Sequence, residues 1–153
     1  MSVMSIHWVD GYRFMLQDEA VSVYARVLTD GHGVDHAVSM VIQFKGGTVA
    51  SLSESFDSYA KPSLCCLDGE SGGLVLGYDK LTIVRPNQPA REVPNPMDKS
   101  AATYWVLDDL LRAIESKTAP ETNAADNLKT MRMLEAAYQS MAEDRVVHLE
   151  AAR

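Results

Sequence analysis

Length, composition and charge narrow the class of protein before any single residue is interpreted. The 153 residues suffice for one domain of ordinary size, and a hydrophobic fraction of 46% suffices for a packed core. The net charge of −7 argues against nucleic acid as a partner, because phosphate contacts need clustered Lys and Arg. No apolar run approaches the roughly 20 residues that cross a bilayer, and the first residues lack the pattern of a signal peptide. We therefore expect a cytoplasmic protein that binds neither nucleic acid nor membranes.

The first predicted element is a helix over Ser5–Leu16. Four apolar side chains recur there at helical spacing and form one stripe: Trp8, Tyr12, Met15 and Leu16. His7 and Asp10 lie one turn apart at the edge of this stripe. An imidazole beside a carboxylate is a candidate for proton transfer. A pairing of Asp10 with Arg13, three residues on, is the more ordinary role for such an acid.

A run of short strands separated by turn residues follows the helix. The predicted strands cover residues 19–29, 37–44, 48–56, 63–67, 73–76 and 81–84. Gly46 and Gly47 supply the positive φ that a two-residue hairpin needs between the second and third of them. Residues 86–96 contain four prolines, which cannot pair in a central strand, so an extended edge or a loop is predicted there.

Cysteine and histidine patterns give little sign of a metal site. Cys65 and Cys66 are neighbours in a predicted strand and alternate between its faces, so they are poorly placed to bridge each other or to share one metal. We expect both to be reduced core residues. His32, Asp35 and His36 flank a glycine-rich turn, where solvated turn residues are the ordinary interpretation. No metal site is predicted.

Two helices and a short strand are predicted to end the chain. The helices cover residues 100–116 and 123–142, the second with Asn123 as N-cap, and the strand covers 145–149. Their predicted apolar stripes are Ala102, Val106, Leu110, Ala113 and Ile114 in the first, and Met131, Leu134, Tyr138 and Met141 in the second. Strands grouped together with helices at both ends indicate an α+β fold. We expect one domain over residues 1–153, with an open, mainly antiparallel sheet whose helices pack on one face.

The second face of that sheet is small and polar. Ser51, Ser53 and Ser55 line it, with Tyr24 and Arg26 expected nearby, whereas Ala50, Leu52 and Phe56 point the other way. Such a face meets either water or another subunit.

Five segments in characteristic order carry a family resemblance. They are the His-Trp-Val-Asp helix at 7–10, the strand after it, the hairpin of 35–49, the turn and strand of 67–76, and the final helix with its closing strand. This order resembles the C-terminal domain of the Gfo/Idh/MocA oxidoreductases over nearly the whole chain. The resemblance implies a domain that supplies most of a sugar or polyol pocket. It also implies a homo-oligomer, in the simplest case a dimer, that forms through the open sheet face.

The resemblance assigns candidate roles to three residues. His7 matches the active-site histidine of the family, which implies that it exchanges a proton with a substrate hydroxyl as hydride leaves. Asp10 and Tyr104 are candidate substrate-binding residues, with core packing as the alternative for Tyr104. The family often carries an aspartate four residues before the histidine, and this chain has Val3 there.

The cofactor part of the family has no counterpart in the sequence. No G-x-G-x-x-G lies between a predicted strand and a predicted helix, since Gly69, Gly72 and Gly73 fall between strands. The catalytic Lys of the Glu-Lys-Pro motif is also missing, and Ala60-Lys61-Pro62 echoes it only superficially. No cofactor site is therefore predicted in this chain, and NAD or NADP would belong to a full-length parent.

Three functions remain open from the sequence. The chain begins directly at the helix that carries His7, so we expect a fragment: the substrate-binding and oligomerisation domain of an NAD(P)-dependent sugar or polyol oxidoreductase, without the cofactor domain. The first alternative is a free-standing, non-catalytic binding or dimerisation module. The second is a small cofactor-independent enzyme that uses His7 and Asp10 for proton transfer.

Overall fold

The computed structural model describes residues 5–30, 32–59, 65–77, 80–94 and 102–149. The chain forms two compact units: unit 1 from residues 1–58 and 121–153, and unit 2 from residues 59–120. In chain order the elements are α1 (Ser5–Leu16), β1 (Ala20–Thr29), β2 (Asp35–Phe44), β3 (Val49–Ser55), β4 (Cys65–Gly69), β5 (Gly72–Leu76), β6 (Lys80–Val84), β7 (Arg91–Pro94), α2 (Ala102–Ser116), α3 (Ala124–Glu143) and β8 (Val147–His148). The predicted α+β class is confirmed, with two sheets in place of one. The extent of the domain stays a prediction.

Unit 1 is a four-stranded antiparallel sheet in the order β3-β2-β1-β8. The register pairs Val23 of β1 with Ile42 of β2, and Ala25 with Met40, so that apolar side chains meet on one face. Helix α3 packs on β1, and α1 contacts both α3 and β3. The buried Ser5 hydroxyl donates a hydrogen bond to Glu54, which joins the start of α1 to the edge strand on this same face.

The core of unit 1 lies between this face and the two helices. Strand β2 alternates as predicted, with Val38, Met40, Ile42 and Phe44 all buried and the residues between them exposed or half-buried. Burying one such large side chain contributes roughly 1.5–3 kcal/mol. The strand that is central to the sheet is thus also the main apolar contributor to the core.

The predicted apolar stripe of α1 is displaced in the structure. The buried residues are Ser5, Val9, Tyr12 and Arg13, whereas Trp8, Met15 and Leu16 are half-buried. Ser5 and Arg13 join Val9 and Tyr12 on the buried side because both find hydrogen-bond partners within the unit.

Helix α3 shows a similar displacement, although its predicted N-cap is confirmed. The Asn123 side chain accepts a hydrogen bond from the Asp126 backbone amide at 3.0 Å. Of the predicted stripe, Leu134 is buried but Met131 is exposed, and small residues such as Ala137 and Ser140 are buried against the sheet as well. Ser140 fits there because its hydroxyl accepts from the Ala25 amide at 3.0 Å and donates to the Arg145 carbonyl at 2.6 Å.

The opposite face of the sheet carries the predicted serines. We call it the serine face; it consists of the cross-strand rows Leu28, Ala37 and Ser55; Arg26, Ser39 and Ser53; and Tyr24, Val41 and Ser51. The expected proximity of Tyr24 and Arg26 to the serines is therefore confirmed. Ser51, Ser53 and Ser55 are exposed in the described part of the chain.

The hairpin between β2 and β3 exists, but its predicted two-residue loop is wrong. The Phe44 amide donates to the Thr48 carbonyl at 2.8 Å, and the Gly47 amide donates to the Phe44 carbonyl at 3.0 Å. This pattern leaves three residues in the loop. Gly47 has a φ of 95°, whereas Gly46 does not lie in the positive region. One glycine at the bulge position of a three-residue loop is therefore sufficient.

Unit 2 contains a second antiparallel sheet in the order β4-β5-β6-β7. The proline-rich segment supplies β7 at its edge, in agreement with the sequence prediction. Cys65 is buried and free, and burial raises the pKa of its thiol. Cys66 is exposed, so its prediction as a core residue is wrong. Because neighbouring residues of a strand point to opposite faces of the sheet, only one of the two cysteines is buried.

Helix α2 ends at Ser116, as predicted, but most of its predicted apolar stripe is exposed. Ala113 is buried, whereas Val106, Leu110 and Ile114 are exposed. Residues 100 and 101 and the side chain of Ala102 lie outside the described part. Helical periodicity identified the element, but periodicity does not say what the apolar side contacts.

Candidate functional site

A cleft in unit 1 lies between α1 and the start of α3. Its volume is about 630 Å³. The cleft is lined by His7, Asp10, Gly11, Arg13 and Phe14 of α1, by Gln17, Asp18 and Glu19 after it, and by Glu121, Thr122, Asp126, Asn127 and Lys129 at the other wall. Helix α1 thus brings both residues singled out in the sequence to one concave surface.

His7 and Asp10 stand one turn apart on the wall formed by α1. The His7 side chain is exposed, and the Asp10 side chain is 46% exposed. Both are open to a molecule in the cleft. Position 3, where the family often carries an aspartate, lies outside the described residues.

Arg13 is a buried cation that joins three parts of unit 1. Its Nε donates to Glu19 at 3.0 Å, and its Nη2 donates to Asp126 at 2.7 Å. The predicted pair with Asp10 is also present, at 3.6 Å. Burial lowers the pKa of Arg13, but its hydrogen bonds to Asp126 and Glu19 outweigh this effect and raise it above the usual value. The guanidinium is therefore a permanent charge at the base of the cleft.

Two of the acids around Arg13, Glu19 and Asp126, are held in their ionised form. The hydrogen bond from Arg13 lowers the pKa of Glu19, and Lys129, 2.7 Å from the same carboxylate, adds to this effect. The hydrogen bond from Arg13 also lowers the pKa of Asp126. Asp126 lies in the first turn of α3, where a negative charge is favoured by the helix dipole.

Thr130 connects this charge cluster to Asp10. Arg13 Nη1 donates to Thr130 Oγ1 at 2.9 Å, and Thr130 Oγ1 donates to Asp10 Oδ1 at 2.6 Å. Asp126 and Thr130 are four residues apart and share one side of α3. The contact between α1 and α3 is thus polar where it borders the cleft.

Tyr104 belongs to α2 in unit 2. Its ring is exposed and stands edge-on to Trp105, with 5.5 Å between the ring centroids. Core packing, the alternative in the sequence, is absent at this position in the described part of the chain. Its assignment to substrate binding stays a prediction.

His36, at the start of β2, is held between two carboxylates. His36 Nδ1 lies 2.8 Å from Asp57, and Nε2 lies 3.5 Å from Asp30. The Asp57 carboxylate is the main cause of the raised pKa of His36. Both ring nitrogens face carboxylates, and the described residues contain no cluster suited to a metal ion.

The described residues do not fit a dinucleotide cofactor. Such a cofactor needs a glycine-rich turn between a strand and a helix N-terminus, usually within a parallel βαβ unit. All strand pairs in the described ranges are antiparallel. Gly69 and Gly72 face each other across the β4–β5 hairpin. Residues 60–62, which echo the Glu-Lys-Pro motif, lie outside these ranges.

Comparison with known families identifies the class of domain. Residues 1–75 match the model of the GFO/IDH/MocA C-terminal domain. The predicted resemblance to the C-terminal domain of the Gfo/Idh/MocA oxidoreductases is thus confirmed over these residues. The chain has no significant match among curated protein sequences.

Solved structures share the fold over almost the whole chain. The aldose-aldose oxidoreductase of Caulobacter crescentus, complexed with glycerol, is 22% identical with a TM-score of 0.80 over 94% of this chain and 45% of its own. An oxidoreductase of Agrobacterium radiobacter in complex with NAD+, L-tartaric acid and magnesium is 22% identical, with a TM-score of 0.78, over 95% and 47%. An oxidoreductase domain protein of Kribbella flavida is 18% identical, with a TM-score of 0.87, over 97% and 49%. The chain thus spans about half the length of these proteins.

Sequence reasoning missed the far wall of the cleft. Arg13 was considered only as a partner for Asp10, and Thr130 was not considered at all. One signal was available: Arg13 falls four residues after Val9 and eight after Ser5, which places it within the buried side of α1. A charged residue at such a position predicts a buried ion pair, but its partners on α3 are more than 100 residues away in sequence.

None of the helices in the described part of the chain is long and apolar enough to cross a membrane.

Proposed function

We propose that this chain is the substrate-binding and oligomerisation domain of an NAD(P)-dependent sugar or polyol oxidoreductase, with the cleft of unit 1 as the substrate site. The observation that carries the proposal is the position of two side chains, the exposed imidazole of His7 and the carboxylate of Asp10. They lie one turn apart on the same wall of the cleft, in a domain that resembles this family. NAD or NADP would be held by another part of the parent protein. No step through the cofactor is assigned to this chain.

The charge of the cleft supports a neutral substrate. Five carboxylate side chains and two basic side chains line it: Asp10, Asp18, Glu19, Glu121 and Asp126, with Arg13 and Lys129. The two cations are already paired with Glu19 and Asp126. A substrate that carries a carboxylate would meet net negative charge without a free cation to receive it. A sugar or polyol has hydroxyl groups that donate to carboxylates and carries no charge of its own.

The proposed roles of the two wall residues follow from their chemistry. Asp10 accepts a hydrogen bond from a substrate hydroxyl, because an ionised carboxylate has only acceptor sites. His7 exchanges a proton with a hydroxyl group at the reacting carbon, for which an imidazole is suited at neutral pH. His7 is exposed and lines the cleft, so its imidazole is available to a bound ligand.

Binding of neutral polyols to the isolated chain tests this proposal. We expect myo-inositol or sorbitol to shift backbone amide signals of α1 and of the first turn of α3 in NMR titrations, with weak, millimolar affinity. Glucuronate should bind at least about tenfold more weakly because of the cleft charge. His7→Gln should reduce polyol affinity about threefold or more, by loss of a contact to the ligand.

His32→Gln is the matched control, since His32 is exposed and lies outside the cleft. It should leave the polyol affinity unchanged. Signal shifts confined to unit 2, or equal losses in the two histidine variants, would contradict the assignment of the cleft.

Self-association through the serine face is the second part of the proposal. Of the nine residues in its three rows, Arg26 alone is charged, and interface centres are typically poor in charge. A twofold dimer would place each serine face against its copy.

Ser53→Arg tests that contact. Ser53 shares a row with Ser39 and Arg26, so a new cation there would face like charges across a twofold interface. We expect the wild type to be a dimer at about 50 μM in light scattering and Ser53→Arg to be a monomer. Thr48→Arg, directly after the β2–β3 loop, should remain dimeric. A monomeric wild type would exclude this part of the proposal.

The cytoplasmic location also stays a prediction.

A further inference from the structure

Two buried polar side chains, those of Arg13 and Thr130, contact the Asp10 carboxylate. Arg13 is 7% exposed and Thr130 is 1% exposed. Burying such groups is costly unless their hydrogen bonds are satisfied, and both are fully engaged here. They come from different helices, so Asp10 receives its contacts from α3 as well as from α1.

The chemistry of the groups fixes the direction of this hydrogen-bond chain. A guanidinium has donors only, so Thr130 Oγ1 must accept from Arg13 Nη1 at 2.9 Å. The threonine hydroxyl has a single proton, and Asp10 Oδ1 at 2.6 Å is its acceptor. A short hydrogen bond from a hydroxyl to a carboxylate belongs to the strong, charge-assisted class. The order of donation is therefore Arg13 to Thr130 to Asp10.

We propose that Thr130 is a positioning residue, which Arg13 orients so that Thr130 holds one oxygen of Asp10 and turns the rest of that carboxylate toward the cleft. This inference rests on the proposed function, because it gives Asp10 the task of receiving a substrate hydroxyl. With Oδ1 fixed, the half-exposed carboxylate keeps acceptor sites for the ligand.

The physical benefit is preorganisation. An aspartate on an exposed helix wall samples several χ1 rotamers, and a ligand that needs one of them must order the side chain when it binds. Thr130 selects the rotamer before the ligand arrives. The effect should therefore appear in the free protein as well as in the affinity.

The experiment compares Thr130→Val, which keeps the shape and removes the hydroxyl, with Thr130→Ser, which keeps the hydroxyl. The first readout is the χ1 distribution of Asp10 in the ligand-free chain, from three-bond NMR couplings to its Cγ. Wild type and Thr130→Ser should show one rotamer, and Thr130→Val should show averaging. The second readout is the Kd for myo-inositol, which should rise about tenfold in Thr130→Val and less than about twofold in Thr130→Ser.

Thr29→Val is the matched control, because Thr29 is exposed on β1 outside the cleft. It should change neither readout. If Thr130→Val does not fold, Thr130→Ala removes the same hydroxyl without a new methyl group. A single Asp10 rotamer that persists without the hydroxyl would overturn the inference. If the wild type does not bind polyols but Asp10 still loses its rotamer in Thr130→Val, the proposed function fails and the positioning by Thr130 stands.

Discussion

Replacing Arg13 with Met should lower the free energy of unfolding by about 2–4 kcal/mol at pH 7. The substitution leaves the carboxylates of Glu19, Asp126 and Asp10 close together without the cation that they surround. Removing one partner of a buried ion pair typically costs about 3–5 kcal/mol, and the partial exposure of the acids reduces this value. Urea unfolding followed by Trp8 fluorescence in a Trp105→Phe background measures the effect in unit 1.

Acid should remove most of this difference. Glu19 and Asp126 have lowered pKa values in the folded protein, so their contribution is fully present above the unfolded value of about 4 and is lost as the pH falls through the folded values. The stability gap between wild type and Arg13→Met should therefore narrow from about pH 4 downward. Arg145→Met is the control within the same unit, because the exposed pair of Arg145 with Glu143 should contribute little to stability. Equal losses in both variants at pH 7 would refute the role assigned to Arg13.

Gly72→Ala should destabilise the sheet of unit 2 by about 2–4 kcal/mol. Gly72 has a φ of 140°, and a Cβ there would lie 2.2 Å from the Val84 carbonyl oxygen. Backbone atoms must move to make room, which adds steric strain to the strain of the dihedral angle. Hydrogen exchange of the β5 and β6 amides is the appropriate measurement, and it should become faster by two to three orders of magnitude.

Gly69→Ala, at the other side of the same hairpin, is the matched control. Its φ is not positive, and the nearest atom to a new Cβ would be the Gly72 carbonyl oxygen at 3.7 Å. We expect a change within about 0.5 kcal/mol. Similar exchange rates in the two variants would mean that the close approach at Gly72 is relieved without cost.

Elements with a local cause were predictable from the sequence. The bounds of α1, the alternation of β2 and the capping of α3 by Asn123 follow from periodicity and from a side chain that bonds its own helix. The loop at Gly47 was placed correctly but assigned the wrong length, because two adjacent glycines permit more than one turn type. Local rules thus identify the elements, with errors where several local solutions exist.

Features that depend on distant partners were not predictable in the same way. The predicted stripe of α3 is right at the buried Leu134 but wrong at the exposed Met131. Ser140 and Ala137, which lay outside the stripe, are buried against the sheet. Ser140 is accepted there because the Ala25 amide and the Arg145 carbonyl lie within its reach, which no helical pattern reveals. The same holds for the candidate site: His7 and Asp10 were found from their spacing on α1, whereas Thr130 becomes visible only when α3 is placed beside it.

The order of the chain has a consequence for how unit 1 is made on the ribosome. Its sheet begins in the first third of the sequence, but α3 and β8, which cover and extend β1, follow the whole of unit 2. The part of β1 that α3 covers must therefore stay uncovered while residues 59–120 are synthesised. Unit 2 pairs consecutive strands only, so its sheet has short loops to close and can form early. The nascent chain thus carries an incomplete sheet of unit 1 while unit 2 forms, and the apolar surface exposed by such a sheet is prone to wrong association.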